Sequence, residues 1–515
     1  MKRNLKLAFV CSAFAGTMLL AACTNGADKS SSPNPSGSSS AANTPAVTAS
    51  TPLELSIAIQ QVGDIPAKGN PVEQAMEKFT NTKLDFQWIP SAAYNDKINV
   101  MLASNDMPKL LRVTTSPTVT NAIQSGMFWE IGPYLKDYKN LNAANKQYYD
   151  NIGVDGKVYG VPEFRSMGRG AAVYRKDWLD DLKLSYPKTL DEWYNVIKAM
   201  TLSDPDKNGK NDTYGFMLYK GYNDGDASVL SRFATMMGGV NKWGVDKDGN
   251  FTPEYMTPEF FDTMKMFRKL YSEKLLNQDF AVLDYSETEK MMDTGRNGMR
   301  FGVYGNGKSQ LERTTKNVPN AVIDIAPFEG PKGIRIAAEP GNFGYLVIPK
   351  SSVKTEAEAK KVLGFLDKMM EPEMATLLTR GIEGKHFANT ADGKTEFTDS
   401  AAFSREVAPY RNNIPYIETI SMVKQLKDVP IGEKAAKLEA DGVNYIVPNP
   451  ALTLSSQTYA EKGRELEQMM MDAETKYIMG KIDDAGWQQE IDKWKKAGGE
   501  KLIGEYKASY LKNKK

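Results

Sequence analysis

Between residues 53 and 113 the apolar pattern switches period again and again, and this alternation constrains the fold more than any other feature of the chain. Leu53-Glu54-Leu55-Ser56-Ile57-Ala58-Ile59 alternates as a strand does. Pro71 to Phe79 follows, with Val72, Ala75, Met76 and Phe79 at helical spacing, and Leu84 to Ile89 returns to a short strand. Tyr94 to Ala103 is helical again, with Ile98, Met101 and Leu102 on one side, and Leu110 to Val113 is strand-like. Strand–helix–strand order predicts a mostly parallel sheet covered by helices. Further on, Leu346-Val347-Ile348-Pro349 reads as a strand. Glu356 to Met370 reads as a helix that buries Ala359, Val362, Leu363, Leu366 and Met369. No segment repeats another.

At 515 residues the chain has room for two or three domains. Apolar residues make up 41% and charged residues 25%, which excludes disorder over the whole length. With 65 basic against 64 acidic side chains there is no electrostatic basis for binding nucleic acid. One histidine, His386, and two cysteines, Cys11 and Cys23, are too few for cysteine zinc cages, iron–sulfur clusters or multi-histidine metal sites.

The first residues read as a targeting signal. Lys2, Arg3 and Lys6 precede the apolar run Leu7 to Leu20, which is short for a membrane span and suited to a signal core. Leu20-Ala21-Ala22-Cys23 looks like a bacterial lipobox, in which cleavage leaves a lipid-modified cysteine at position 23; a plain secretory signal is the alternative. Residues 1–22 would then be lost, with Cys11 among them, and Cys23 would carry the lipid, leaving the folded part without a thiol. Thr24 to Pro52 is mostly Ser, Pro, Ala, Asn and Thr, a composition that cannot bury enough apolar surface to fold. Residues 23–52 therefore read as anchor and tether, holding a globular body just outside a membrane.

Several motifs of that body resemble one family. Asp155-Gly156-Lys157-Val158-Tyr159-Gly160-Val161-Pro162 is similar to its DGK-x-YG-x-P turn and strand, and Val173-Tyr174-Arg175-Lys176-Asp177-Trp178-Leu179 to its Y-R-K-D-W-L helix entry. Thr189-Leu190-Asp191-Glu192-Trp193 has the spacing of a capping box. Gly381-Ile382-Glu383-Gly384-Lys385-His386-Phe387 is similar to the family's G-x-E-G-x-H segment, whereas Lys109 after Pro108 departs from an often acidic position. On these residues the chain resembles the extracellular solute-binding lipoproteins of bacterial ABC importers, in the large subgroup linked to oligosaccharides and aldouronate- or alginate-like sugars. The resemblance implies an α/β, two-lobe periplasmic-binding-protein-like fold, with mixed sheets flanked by helices and crossover hinge strands. It places residues 53–165 plus 342–385 in a first lobe and 166–341 plus 386–515 in a second. It further implies a monomer on the extracellular face of the cytoplasmic membrane, closing on a solute and presenting it to the permease subunits.

The sharpest chemical motif is Asp204-Pro205-Asp206-Lys207-Asn208-Gly209-Lys210-Asn211-Asp212-Thr213. Side-chain oxygens of Asp204, Asp206, Asn208 and Asp212, with the Lys210 carbonyl and a turn glycine, follow the spacing by which an EF-hand-like loop wraps Ca²⁺. Gly215 stands where such a loop carries its closing Glu; the family variant implies Thr213 as a weakened last ligand. An empty Asx-rich turn is the alternative. Asp246 to Asn250 and Thr390 to Lys394 read as plain turns.

A sugar site needs aromatic plates and fixed polar side chains. Candidates near the crossovers or in Gly-rich loops are Glu163, Phe164, Arg165, Trp243, Tyr304, Asn342 and Phe343. Trp243, Tyr304 and Arg165 are expected to face one crevice. Glu383 and His386 could support acid–base chemistry, but a structural hydrogen bond is the plainer reading. A solute-binding protein for a sugar, an oligosaccharide above all, is the favoured function. A secreted glycoside hydrolase would need a pair of flanking carboxylates, which no spacing singles out, and a peptide cargo on the same fold is the third reading.

Overall fold

The structure, a computed structural model, describes residues 51–61 and 63–513. The signal segment, Cys23 and the tether up to residue 50 lie outside the described residues. Nine strands build two main sheets: β1 (Leu53–Gln61), β2 (Thr82–Pro90), β3 (Leu110–Val113), β4 (Gly160–Phe164), β5 (Gly170–Arg175), β6 (Tyr214–Phe216), β7 (Asn297–Val303), β8 (Ile323–Ala326) and β9 (Asn342–Val347). The first sheet has the order β2-β1-β3-β9-β4 and the second β8-β5-β7-β6. In the first, β1, β2 and β3 are parallel, while β9 runs antiparallel to both β3 and β4.

The predicted opening alternation is present, and its cause is local. Helix α1 (Pro71–Thr80) begins at Asn70, whose side chain accepts from the Val72 and Glu73 N–H groups, with Pro71 in the first turn, where a missing N–H costs nothing. It ends at Asn81, which takes a left-handed conformation at φ 54° and turns the chain straight into β2. The register then sets Leu55 beside Leu84 and Ile57 beside Phe86. The sheet is buried on both faces, as a parallel sheet should be. Leu55, Ile57 and Ile59 pack with Val362, Leu363 and Leu366 on one face, and Ala58, Leu111 and Val347 with Ile98, Leu102 and Ile123 on the other.

The second sheet is likewise two-faced. Tyr174, Phe216 and Phe301 join a large aromatic core with Trp178, Trp193 and Phe233, while Val173, Ile323 and Ile325 pack against Tyr304 and Ile431. The C-terminal helices α2 (Gln457–Ile478), α3 (Asp484–Trp494) and α4 (Glu500–Asn513) add Leu466, Tyr477, Trp487 and Tyr506 to that aromatic core.

One lobe boundary differs from expectation. Phe403, Val407, Tyr410 and Ile414, expected in the second lobe, pack in the core of the first sheet. Tyr410 explains why: its hydroxyl accepts from the Asn70 amide and meets the Glu73 carboxylate, tying this segment to the start of α1. The chain crosses between the sheets at residues 165–169, at 337–341 and between Ile414 and Ile431. Residues 165–169 and 337–341 pair through Arg165 N–H to Gly341 O (2.8 Å) and Glu339 N–H to Met167 O (3.0 Å). Beside them the segment around 442–447 adds a short parallel pairing of Ile446 with Ile336. Gly168 and Gly442 meet backbone to backbone, where a Cβ on either would collide with the other's carbonyl.

Candidate functional site

A crevice of about 1920 Å³ opens where the strands of the first sheet end. Gln60, Ser91, Thr114 and Phe164 stand at or just past the carboxyl ends of β1, β2, β3 and β4, and all four line it. Open α/β sheets bind ligands at these ends. The far wall is the helix Pro430–Gly442, which supplies Lys434, Lys437 and Glu439 and packs on the second sheet through Ile431 and Ala435. The crevice therefore lies between the lobes.

Its floor is built by one irregularity. The pairing of β9 with β4 slips between Asn342 and Tyr345, a bulge that turns Phe343 outward, 56% exposed, into the crevice. Beneath it, Arg112 of β3 reaches across β9 to Glu163 of β4 with a two-pronged ion pair at 2.7 and 2.9 Å. The same guanidinium donates to the Phe343 carbonyl at 2.7 Å. Gly344 makes this crossing possible: a Cβ there would sit 2.9 Å from an Arg112 nitrogen. Burial alone would lower the Arg112 guanidinium, but the adjacent Glu163 carboxylate more than offsets this and leaves it above its ordinary value. Above the bulge the Arg165 and Arg169 guanidinium groups lie 5.2 and 5.7 Å from the Phe343 ring centre, close enough for cation–π attraction. Arg169 is fixed by Glu339 at 2.6 Å across the paired crossovers.

Of the residues singled out from sequence, Phe164, Arg165 and Phe343 line the crevice. Glu163 does not; it is 1% exposed and holds Arg112. The Asn342 amide donates to the Pro340 carbonyl and serves the crossover. Trp243 and Tyr304 are not brought to Arg165. Trp243 packs edge-on to Tyr506 at 5.0 Å in the second lobe, and Tyr304 is 1% exposed against Ile323 and Ile325. Gly244 beside Trp243 packs closely on Val240, while Gly305 beside Tyr304 has open space around it. Sequence reasoning missed Arg169, Arg411 and Tyr416, which also line the crevice. Arg169 lies between Gly168 and Gly170, the signal that could have marked it; Arg411 and Tyr416 had none, because their segment was placed in the other lobe.

His386 is fully buried. Its Nδ1 accepts from the Ile382 N–H at 2.9 Å, so Nε2 carries the proton and points at Glu406. That is a structural hydrogen bond. Glu383 meanwhile accepts from Asn389.

In the 204–213 loop the Asn208 amide donates to Asp206 (2.7 Å) and Asp212 (3.1 Å), while Asp204 accepts from the Asn208 and Gly209 N–H groups. Asp206 keeps one buried oxygen without a partner. Burial, then the neighbouring Asp204 and Asp212, raises its carboxyl. Among the described residues no three acidic, His or Cys side chains form a ready-made metal cage. The donor set is nevertheless all oxygen and crowded with negative charge, which fits a hard cation. Thr213 does not take part by its side chain, since its hydroxyl donates to the Met200 carbonyl at 3.0 Å and ties the loop to the preceding helix.

Two lobes joined by paired crossovers around a large crevice define a binding protein. Residues 63–373 match the family described as bacterial extracellular solute-binding protein, and the chain belongs to that family. It is 35% identical to lipoprotein LipO of Bacillus subtilis over 87% of this chain and 90% of that one. It is 36% identical to the polygalacturonan/rhamnogalacturonan-binding protein YtcQ of the same organism, over 87% of this chain and 89% of that one. An HMO-binding, ABC-transporter-associated solute-binding protein of Bifidobacterium longum infantis shares the fold at TM-score 0.68 and 17% identity, covering 89% of this chain and 98% of the other. So does an EF-hand mutant of the Streptococcus pneumoniae substrate-binding protein FusA in complex with fructo-nystose, at TM-score 0.59 and 19% identity, covering 89% and 98%. The family and the YtcQ, Bifidobacterium and FusA relatives are binding proteins, and the chain is a solute-binding protein as well rather than an enzyme. Among the described residues no helix is long and apolar enough to cross a membrane.

Proposed function

We propose that this protein captures an oligosaccharide in the interlobe crevice and delivers it to the permease subunits of an ABC transporter. The observation that carries the reading is Phe343, an aromatic face held open in a crevice of about 1920 Å³ by the bulge and flanked by Arg165 and Arg169. A sugar ring stacks its C–H face on such a plate, and the fixed guanidinium donors reach hydroxyls or a carboxylate. The polygalacturonan and rhamnogalacturonan of YtcQ and the fructo-nystose of FusA support sugars as the class, and YtcQ supports acidic ones. Cys23 anchors the chain by lipid to the outer face of the cytoplasmic membrane, and Asp204, Asp206, Asn208, Asp212 and the Lys210 carbonyl hold a structural Ca²⁺. A thermal-shift screen of galacturonan, neutral oligosaccharides and peptides tests the reading, since a ligand at about 100 times its Kd stabilises by about 2.7 kcal/mol. A sugar shift that Phe343→Ala abolishes supports it; stabilisation by peptides alone overturns it. Cys23→Ala should remove lipid labelling and membrane retention.

A further inference from the structure

A second cavity, of about 350 Å³, lies inside the second lobe between helix α2, the loop at residues 223–226 and the last two helices, and it shares no lining residue with the crevice. We propose that this cavity is a separate binding site for a small organic ammonium compound.

The charge of its walls comes first. Five carboxylates line it, those of Asp224, Asp226, Glu254, Glu467 and Glu474, against two cations. Both cations are already engaged. Arg464, on the rim and 77% exposed in its side chain, pairs with Asp224 at 3.1 Å and Glu467 at 3.3 Å, and Lys242 pairs with Glu254 at 3.1 Å. Asp226 and Glu474 are left without an ion pair. Asp226 lines the cavity and is exposed, while Glu474 is 1% exposed and accepts from the Asn223 amide at 3.1 and 3.0 Å. Lys242 acts on both but is paired with Glu254; a buried carboxylate short of counter-charge is costly, and an occupant bearing positive charge would supply the rest.

The remaining walls say what kind of cation. Trp243, Tyr255, Tyr459 and Tyr506 present aromatic surface to the cavity, and aromatic faces attract desolvated ammonium groups. A metal ion would need a tight shell of several oxygens. Here the carboxylates stand on separate elements, and among the described residues no three are close enough to share an ion. A neutral sugar would find acceptors in excess and its donors spent. The volume sits at the small end of ligand pockets.

Burial raises the Glu474 carboxyl to about 8, with Lys242 opposing and the Glu254 carboxylate adding to the rise. The groups facing it are Asn223, Lys242, Glu254, Tyr222 and Tyr255. An ammonium ion entering the cavity favours the ionised carboxylate, so its binding expels a proton and tightens as pH rises toward that value.

The probes are tetramethylammonium and choline, with 3,3-dimethylbutan-1-ol as choline's uncharged carbon isostere, titrated into the full chain by calorimetry and tryptophan fluorescence. The expected result is saturable binding of an ammonium probe, weaker by about tenfold or more for the isostere, with proton release at pH 7. Glu474→Gln and Asp226→Asn, both conservative in shape, should each weaken ammonium binding and leave sugar affinity at the crevice unchanged. Absence of saturable binding by both ammonium probes at millimolar concentration overturns the proposal. So does equal binding of the isostere, or ammonium binding that is lost in Phe343→Ala instead of in the Glu474 variant.

Discussion

Changing Glu163 to Gln keeps shape and removes one charge from a pair that is almost wholly out of water. The paired side chains are 6% and 1% exposed, and the carboxylate accepts both prongs of Arg112. Without it the guanidinium stays buried, with the Phe343 carbonyl and the face of Tyr94, 5.4 Å away, as its remaining partners. Breaking a buried pair from one side costs about 3–5 kcal/mol, mostly for the stranded charge. Urea unfolding should therefore show a lower midpoint at unchanged slope for the transition of the first lobe. Arg112→Met should cost a similar amount. The double variant Arg112→Met with Glu163→Leu should recover much of the loss, because no charge is then left unpaired. Sugar affinity should fall in Glu163→Gln as well, since Arg112 also fixes the carbonyl of Phe343. An unfolding free energy within about 0.5 kcal/mol of the parent's would refute the argument and mean that water reaches the guanidinium. Additive losses in the double variant would equally deny the pairing.

Three further outcomes follow from the same structure. EDTA should lower the melting temperature more than it lowers sugar affinity, and Asp206→Ala should abolish the EDTA effect; Ca²⁺ at about 100 times its Kd contributes about 2.7 kcal/mol. Trp243→Ala should cost about 3 kcal/mol of stability, the low end for a large aromatic because Trp243 is half-buried, and leave crevice affinity unchanged by isothermal titration. Glu474, raised to about 8 in the folded chain, favours folding fully below its ordinary range near 4.5 and loses that contribution as pH rises to about 8. Stability of the ligand-free protein should thus fall across this window by up to about 1.4 kcal/mol per pH unit, and Glu474→Gln should flatten the slope in chemical denaturation series at several pH values.

What the sequence disclosed and what it hid divide along the range of the interactions. The β1–α1–β2 unit was legible because its determinants lie within ten residues or so of each other: an alternating strand, then Val72, Ala75, Met76 and Phe79 at helical spacing; the caps at Asn70 and Asn81 went unremarked in the sequence. The Asp155-Gly156 turn was legible through the family resemblance, and φ of 50° and 75° there is what that dipeptide accommodates. The crevice was not, because it depends on contacts hundreds of residues apart. Tyr410 tying residues 400–414 to α1 has no local signature, so the first lobe was drawn too short and Arg411 and Tyr416 went unnoticed.

The candidate aromatics show why a residue's own surroundings in sequence are a poor guide to a ligand plate. Trp243, Tyr304 and Phe343 all stand next to glycine or a crossover, and sequence alone ranked them together. Only Phe343 opens into the crevice, and it does so because of three other residues. Gly344 leaves room for a guanidinium, Arg112 crosses β9 through that room, and Glu163 on the far strand neutralises it. Replace Arg112 and the bulge loses the hydrogen bond that fixes its carbonyl; replace Gly344 and the guanidinium is displaced; replace Glu163 and it is left without its counter-charge. Glu163 was singled out as a ligand residue because it precedes the crossover; its position is indeed tied to the site, but by charge passed beneath the sheet rather than by contact with solute. A plate on an exposed bulge has few packing partners of its own, so its orientation must come from the backbone under it. In this chain that backbone is held by a buried ion pair, one strand to either side.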